Sequence, residues 1–417
     1  MSVASEPAWP DPAPAEGKAA SGSVASGRGG ALSDLRVLDL SRVLSGPFAT
    51  MTLADLGADV IKIEQPGTGD DTRHWGPPFQ GDQAAYFLSV NRNKRSVALD
   101  LKTEAGLAAV RSLAAQADVV VENFRPGTAA RLGLGYPDIS AANPGVVYAS
   151  ISGYGQTGPD AQRPGYDAVA QARSGLMSVT GEADGPPVRV GVSATDLTAG
   201  MWALVGILAA LHERHRSGLG QWVDISLLDG QISWLTYVAS GYFATGEVPA
   251  RYGSAHPTIA PYQAFATADG HLMLAVGNDR LWQRFAAATD LEHLLHDARF
   301  ATNADRVRNR TALIPLVAAA MASKTSADWA AILDTAGVPA GPINSVDKIV
   351  TDPQVLARGM VVETEHPTAG ALRQLSCPVR LSATPPQLRM PPPLLGQHTE
   401  EVLNSLGQLD FASEKAS

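Results

Sequence analysis

Short apolar runs alternate with helical patterns in the first third of this chain, and each run ends in a polar or glycine-bearing turn. Leu35 to Leu40 is the first run. Ser45-Gly46-Pro47 then opens a helical pattern, Phe48 to Leu56, which Gly57 closes, and Asp59 to Glu64 (DVIKIE) is a second run. Strand, turn, helix, strand is the βαβ unit. The alternation continues through Ser96 to Leu101, a helix Glu104 to Ala117 capped by Thr103, Asp118 to Phe124, and Val146 to Ile151. Such a pattern predicts an α/β fold: a Rossmann-like large domain with a mostly parallel sheet covered on both faces. This first βαβ unit lacks GxGxxG in its turn, so no nicotinamide cofactor is expected.

Ligands of open parallel sheets bind beyond the carboxyl ends of the strands. Here those segments are Arg42 to Gly46, Gln65 onward, Asn123 to Arg131, and Ser152 to Gly155. Arg42, Arg125 and Arg131 lie in them, and Lys94, Arg95 and Lys102 flank the strand expected from Ser96. These cations suit phosphate groups. The net charge of −9 makes a nucleic-acid partner unexpected. The single cysteine, Cys377, supports neither an intrachain disulfide nor a thiolate zinc site, and no metal is expected. Met201 to Leu211, the most apolar run, is shorter than the roughly 20 residues of a membrane span and is expected to form a buried helix. Residues 1–30 are rich in Ala, Ser, Gly and Pro without a continuous apolar core, which predicts a disordered tail and a cytoplasmic protein.

The 417 residues allow more than one domain. After the large domain, 31–228, the texture changes. Aromatic residues, a hairpin pattern from Tyr262 to Val276 with Asp269-Gly270 at its turn, and three helical patterns suggest a smaller α+β domain over 229–335. Gly337 to Asn344 (GVPAGPIN) is expected to lead back, so that 336–417 rejoins the large domain. Between the two textures, Arg163 to Asp196 carries three aspartates in a Gly/Pro-rich run. Asp184-Gly185-Pro186-Pro187 is a turn that exposes a carboxylate. Asp167 fits either a buried hydrogen-bonding aspartate or a nucleophile, and Asp196 fits an N-cap for a helix from Thr198.

In this order, RVLSGPFA from Arg42, LADLGADVIKIEQPGTGDDTR, NRNKRSVALDLK, VENFRPGTAARLGLGY, SISGYGQTGP, RPGYDAVAQARSGLMSVTG and PPPLLGQHTEEVL resemble the class III CoA-transferases. The likeness runs from Leu35 to Leu406. SVNRNK, ARYGSAHPTIAPYQAF and GVPAGPIN are most similar to the succinyl-CoA:glutarate branch. The resemblance implies an interlocked homodimer and CoA transfer from an acyl-CoA, succinyl-CoA in that branch, to a carboxylic acid such as glutarate. It implies aspartyl anhydride and aspartyl-CoA intermediates. The nucleophile carries over to Asp184, beside Gly185, with Asp167 as the rival. CoA contacts carry over to Arg42, Leu44, Ser45, Gln65, Leu99 and Lys102, and to Asn123, Phe124, Arg125, Arg131, Ser152, Gly153 and Tyr154. Leu44, Gln65 and Ser152 replace a glutamine, an arginine and a lysine of formyl-CoA transferase. Arg73, Arg189, Arg251 and His256 are candidates to hold the acceptor's distal carboxylate. A racemase of the same family would use Asp196 with a histidine, but Tyr166 stands at the histidine position. A non-catalytic acyl-CoA-binding protein is the remaining alternative.

Overall fold

The computed structural model describes residues 30–406. Among the described residues two compact units emerge: 30–174, 191–234 and 354–406 form the first, and 175–190 with 235–353 the second.

The first unit is built on six strands, β1 (Arg36–Asp39), β2 (Asp59–Glu64), β3 (Lys94–Ala98), β4 (Val119–Glu122), β5 (Val147–Ser152) and β6 (Trp222–Ser226). They lie in the order β3-β2-β1-β4-β5-β6, and every pairing is parallel. Alternate residues of each strand feed opposite faces. Val37, Val119, Val121 and Ala149 pack with Ala49 and Leu53 of α1 (Ser45–Asp55). Leu38, Val120 and Tyr148 pack with Val110 and Leu113 of α2 (Glu104–Ala114) and with Val402. Thr103 caps α2 as expected, its hydroxyl accepting from Gly106 N at 3.1 Å. Helices on both faces are what a fully parallel sheet requires.

Two further helices of this unit frame the site: α3 (Asp167–Arg173) and α4 (Ala194–Ser217). The expected buried helix at Met201–Leu211 is part of α4, a 24-residue element long and apolar enough by composition to cross a bilayer. Ala199, Ala203, Ile207 and Ala210 pack into the sheet core. Met201, Trp202, Val205 and Leu208 are exposed, so the helix is buried on one side only.

The second unit contains the expected hairpin, β7 (Tyr262–Ala266) and β8 (His271–Ala275), and helices α5 (Asp279–Ala288), α6 (Arg310–Met321) and α7 (Ser326–Thr335). The run GVPAGPIN is no return connection. Its Ala340–Pro342 forms β9, which pairs antiparallel with β8, and the chain leaves the unit only at Pro353. Pro342 sits on an edge strand, where a missing N–H is tolerated. Residues 175–190, read from the sequence as large-domain chain, also belong here: Gly253 N donates to Gly181 O at 2.9 Å. The proposed tail, 1–30, lies outside the described residues apart from Gly30.

Candidate active site

Every strand of the sheet points its carboxyl end toward one edge of the first unit, and the chain leaving those ends builds a cleft. Arg42–Ser45 follow β1, Asn123–Pro126 follow β4, Ser152 and Gly153 end β5, and Leu227 follows β6. With Arg163, Tyr166 and Asp196 they enclose about 200 Å³. A second hollow of about 580 Å³ is lined by Gln65, Thr68, Leu99 and Lys102, which follow β2 and β3. Arg42, Asp71 and Phe124 line both, so the two are one continuous groove. In the strand order β3-β2-β1-β4-β5-β6, β1 and β4 flank the point where the order reverses, the usual ligand crevice of such sheets.

The groove brings together eleven of the expected CoA contacts: Arg42, Leu44, Ser45, Gln65, Leu99, Lys102, Asn123, Phe124, Arg125, Ser152 and Gly153 line it, with Asn123 in a supporting role. The Asn123 amide accepts from Arg42 N at 2.9 Å and donates to Arg42 O at 2.7 Å, fixing the loop after β1. Ser152 is buried and its hydroxyl has no hydrogen-bond partner among the described residues, which leaves a donor for a ligand. Arg125 has no ion pair among the described residues. Two expected contacts do not line the groove. Tyr154 is buried beneath the Arg173 guanidinium, 4.6 Å from its ring, and Arg131 bonds Thr128 Oγ1 at 2.9 Å.

Several cations are already committed. Arg73, expected to bind an acceptor carboxylate, holds both oxygens of buried Glu64 at 2.7 Å and stacks on Phe87. Lys94 begins β3 and is fully buried against Asp39 at 3.0 Å, while Arg95 pairs with Asp59 and Glu401. None of the three is available to a phosphate. No local sequence pattern marks Arg163, which lines the groove and pairs with Asp160 at 2.8 Å, or Glu122. Burial pushes the Glu122 carboxyl up to about 7, and it accepts from Phe124 N at 2.8 Å, bracing that groove residue from behind.

Asp196 stands in the groove because of how α4 meets α1. Gly200, one turn further along the same face, lies so close to α1 that a Cβ would sit 2.6 Å from Ser45 O. Asp196 is therefore delivered beside the Arg42–Ser45 loop. It lies inside the first turn of α4 rather than at the N-cap, which is Ser193. Burial, then the nearby Asp167 carboxylate, raise its pKa to about 7. Asp167, the rival nucleophile, is saturated with hydrogen bonds: it accepts from Thr195 N (2.8 Å), Thr195 Oγ1 (2.6 Å) and Gln171 Nε2 (2.8 Å). It anchors the start of α4, one residue before Asp196.

Asp184 is in the second unit, on an exposed turn, whereas the groove is built from the first unit alone. Gly185 O accepts from Arg251 Nη2 at 2.8 Å and Glu182 O from Arg251 Nε at 3.3 Å, so Arg251 braces this turn instead of standing free. Arg189 bonds the neighbouring Val190 O at 3.1 Å. His256 packs between Tyr237 and Tyr262, and burial and the Arg310 charge lower its pKa. A neutral imidazole is not a cation for a carboxylate.

A family model, CoA-transferase family III, matches residues 32–399. The chain is 47% identical to succinyl-CoA:glutarate CoA-transferase of Mus musculus over 379 residues, covering 91% of this chain and 87% of that one. It is 43% identical to succinate–glutarate CoA-transferase of Agrobacterium fabrum over 385 residues, 91% and 96% of the two chains. Among solved structures, a CAIB/BAIF family protein from Brucella suis superposes with a TM-score of 0.82 at 42% identity, over 91% of this chain and all 100% of that one. The groove at the switch point, the anion-compatible side chains along it and these matches agree: the chain belongs to CoA-transferase family III and is an enzyme that transfers CoA.

Proposed function

We propose that this enzyme moves CoA from succinyl-CoA to a dicarboxylate such as glutarate, and that Asp196 rather than Asp184 is its nucleophile. The relatives named for succinyl-CoA and glutarate support the substrates. The observation that carries the nucleophile is the Asp196 carboxyl in the groove beside the loop after β1.

The chemistry follows from these groups. The Asp196 carboxylate attacks the succinyl thioester carbonyl, the C–S bond breaks, and a mixed anhydride and CoA thiolate form. The thiolate attacks the aspartyl carbonyl, releases succinate and leaves an aspartyl-CoA thioester. Glutarate attacks that thioester, giving a second anhydride and the thiolate again. Attack of the thiolate on the glutaryl carbonyl yields glutaryl-CoA and regenerates Asp196. Water must be excluded throughout, because each anhydride hydrolyses. The N-terminus of α4 favours the ionised carboxylate and works against the burial that disfavours it. Arg125, without an ion pair among the described residues, is the groove cation suited to the distal carboxylate.

Incubation of the protein with succinyl-CoA and glutarate is expected to give glutaryl-CoA and succinate in equal amounts without accumulation of free CoA, followed by chromatography of the acyl-CoAs. Hydrolysis of succinyl-CoA at the same rate with and without glutarate would overturn the assignment. A site built around one methylene discriminates by only ~1–3 kcal/mol, so neighbouring dicarboxylates should react more slowly rather than not at all.

The enzyme is also proposed to be a homodimer. Met201, Trp202, Val205 and Leu208 expose one apolar side of α4, with Trp222 and Ile232 also exposed, an amount of apolar surface that a monomer rarely leaves to water. Light scattering is expected to return twice the chain mass of 43.5 kDa, and a mass equal to one chain would refute the dimer.

A further inference from the structure

Val43 has φ 69°, in the left-handed region that a β-branched residue rarely occupies. It lies between Arg42 and Leu44 in the loop that shares the groove with Asp196. A residue keeps such a conformation only where its surroundings over-determine it. Here the fastening is a buried ion pair. Val43 N donates to both oxygens of Asp70 at 3.3 Å. Asp70 accepts from Lys62 Nζ at 2.9 Å, and both side chains are fully buried. Lys62 Nζ also donates to Ser41 O at 2.8 Å, so each member of the pair grips the loop backbone on either side of Arg42. Asp70 is itself held by Thr72 N (3.0 Å) and Thr72 Oγ1 (2.8 Å), and its own N–H donates to Glu64 Oε2 at 2.9 Å.

A pair that served stability alone would need only each other. This one spends two of its hydrogen bonds on the backbone of a single strained loop. We propose that Asp70 and Lys62 are positioning residues for CoA transfer, holding Val43 in its left-handed conformation and so keeping Leu44 and Ser45 in place beside the Asp196 carboxyl. The inference rests on Asp196 being the nucleophile. Neither residue touches the reacting atoms. They act through the loop, whose misplacement by a fraction of an ångström would spoil the approach of the thioester to the carboxylate.

The test joins a loss with a rescue. Asp70→Asn keeps an acceptor oxygen but removes the charge opposite Lys62. It is expected to lower kcat for succinyl-CoA and glutarate by about 10- to 100-fold while the KM for succinyl-CoA moves less than about threefold, the split expected of lost alignment. Adding Val43→Gly should restore kcat by about fivefold or more, because glycine adopts positive φ without steric cost. A purely structural role would give no such rescue. Hydrogen exchange of the unmodified enzyme supplies a second measurement that needs no mutant to fold: the Val43 amide should be strongly protected, as a bond to a buried carboxylate requires. The proposal is overturned by wild-type kcat in Asp70→Asn, by a double variant no faster than the single one, or by an unprotected Val43 amide. An unmodified enzyme that transfers no CoA would instead sink the functional reading, and the amide protection would still decide whether the loop is held.

Discussion

Asp196→Asn is expected to abolish CoA transfer and to make the protein harder to unfold at pH 8. The amide fills the same volume but cannot attack a thioester, so turnover should drop by at least about 1,000-fold, the scale on which loss of a covalent nucleophile is felt. Stability moves the other way. Burial and Asp167 raise the Asp196 pKa to about 7 from the ordinary carboxylate value. Between those values the native state keeps a proton that the unfolded chain has released, so the stability contribution of this group falls as pH rises and reaches its minimum above pH 7. An asparagine never ionises and escapes that cost. Allowing for partial exposure and the favourable helix N-terminus, urea unfolding at pH 8 should show a gain of about 1–3 kcal/mol that shrinks steadily toward pH 5. The same ionisation shapes catalysis. With a pKa about 7, kcat/KM should rise roughly tenfold between pH 6 and pH 8. Asp184→Asn is the decisive comparison, with a loss under about tenfold expected because the turn around it is exposed and none of the groove is built from its unit. Abolished turnover in Asp184→Asn, with activity retained in Asp196→Asn, would return the nucleophile to the turn.

The two aspartates show where sequence patterns stop. Alternating apolar runs revealed the sheet, and the segments after its strands proved to be the groove, because periodicity and turn chemistry are local properties. Asp-Gly-Pro-Pro is also a local signal, of an exposed turn in the second unit, and a turn signal does not distinguish a reacting carboxylate from a solvated one. Asp196 is selected by a distant contact, Gly200 against Ser45 O, which appears in the sequence only as a small residue four places after an aspartate. The cations follow the same rule. Arg73, Lys94 and Arg251 look free in a string of letters, but each partner lies nine or more residues away, and the folded chain commits them to Glu64, Asp39 and Gly185 O. The unit boundary at Gly175 was equally hidden. It depends on the backbone bond from Gly253 to Gly181, which no compositional change marks. The apolar pattern of α4 could not say which face is covered, because both faces carry large apolar side chains.

Asp39→Ala should cost about 3–5 kcal/mol of stability at pH 7, the price of leaving a buried charge without its partner. Asp39 accepts from Lys94 Nζ (3.0 Å), Thr50 Oγ1 (2.7 Å), Ser41 N (3.0 Å) and the Ser41 hydroxyl, so it ties β3 and α1 to the end of β1. Burial pushes the Lys94 ammonium down to about 8 even with Asp39 opposing that effect. Without the carboxylate the native pKa must fall further, while the unfolded lysine stays near its ordinary value. Between the two the unfolded chain binds the extra proton, so the stability of the variant rises with pH. The deficit should therefore be smaller at pH 9 than at pH 7 when both proteins are unfolded in urea. Replacing the pair together, as Asp39→Leu with Lys94→Met, removes both charges. About half of the loss should return, because Thr50 can still bond Gly46 O or Pro47 O whereas Ser41 loses its acceptor. A deficit under about 1 kcal/mol in Asp39→Ala would mean that Lys94 reaches water and behaves as a surface cation. The expected pH trend separates the two cases, since an exposed lysine titrates alike in the folded and unfolded chain and gives no slope near pH 8.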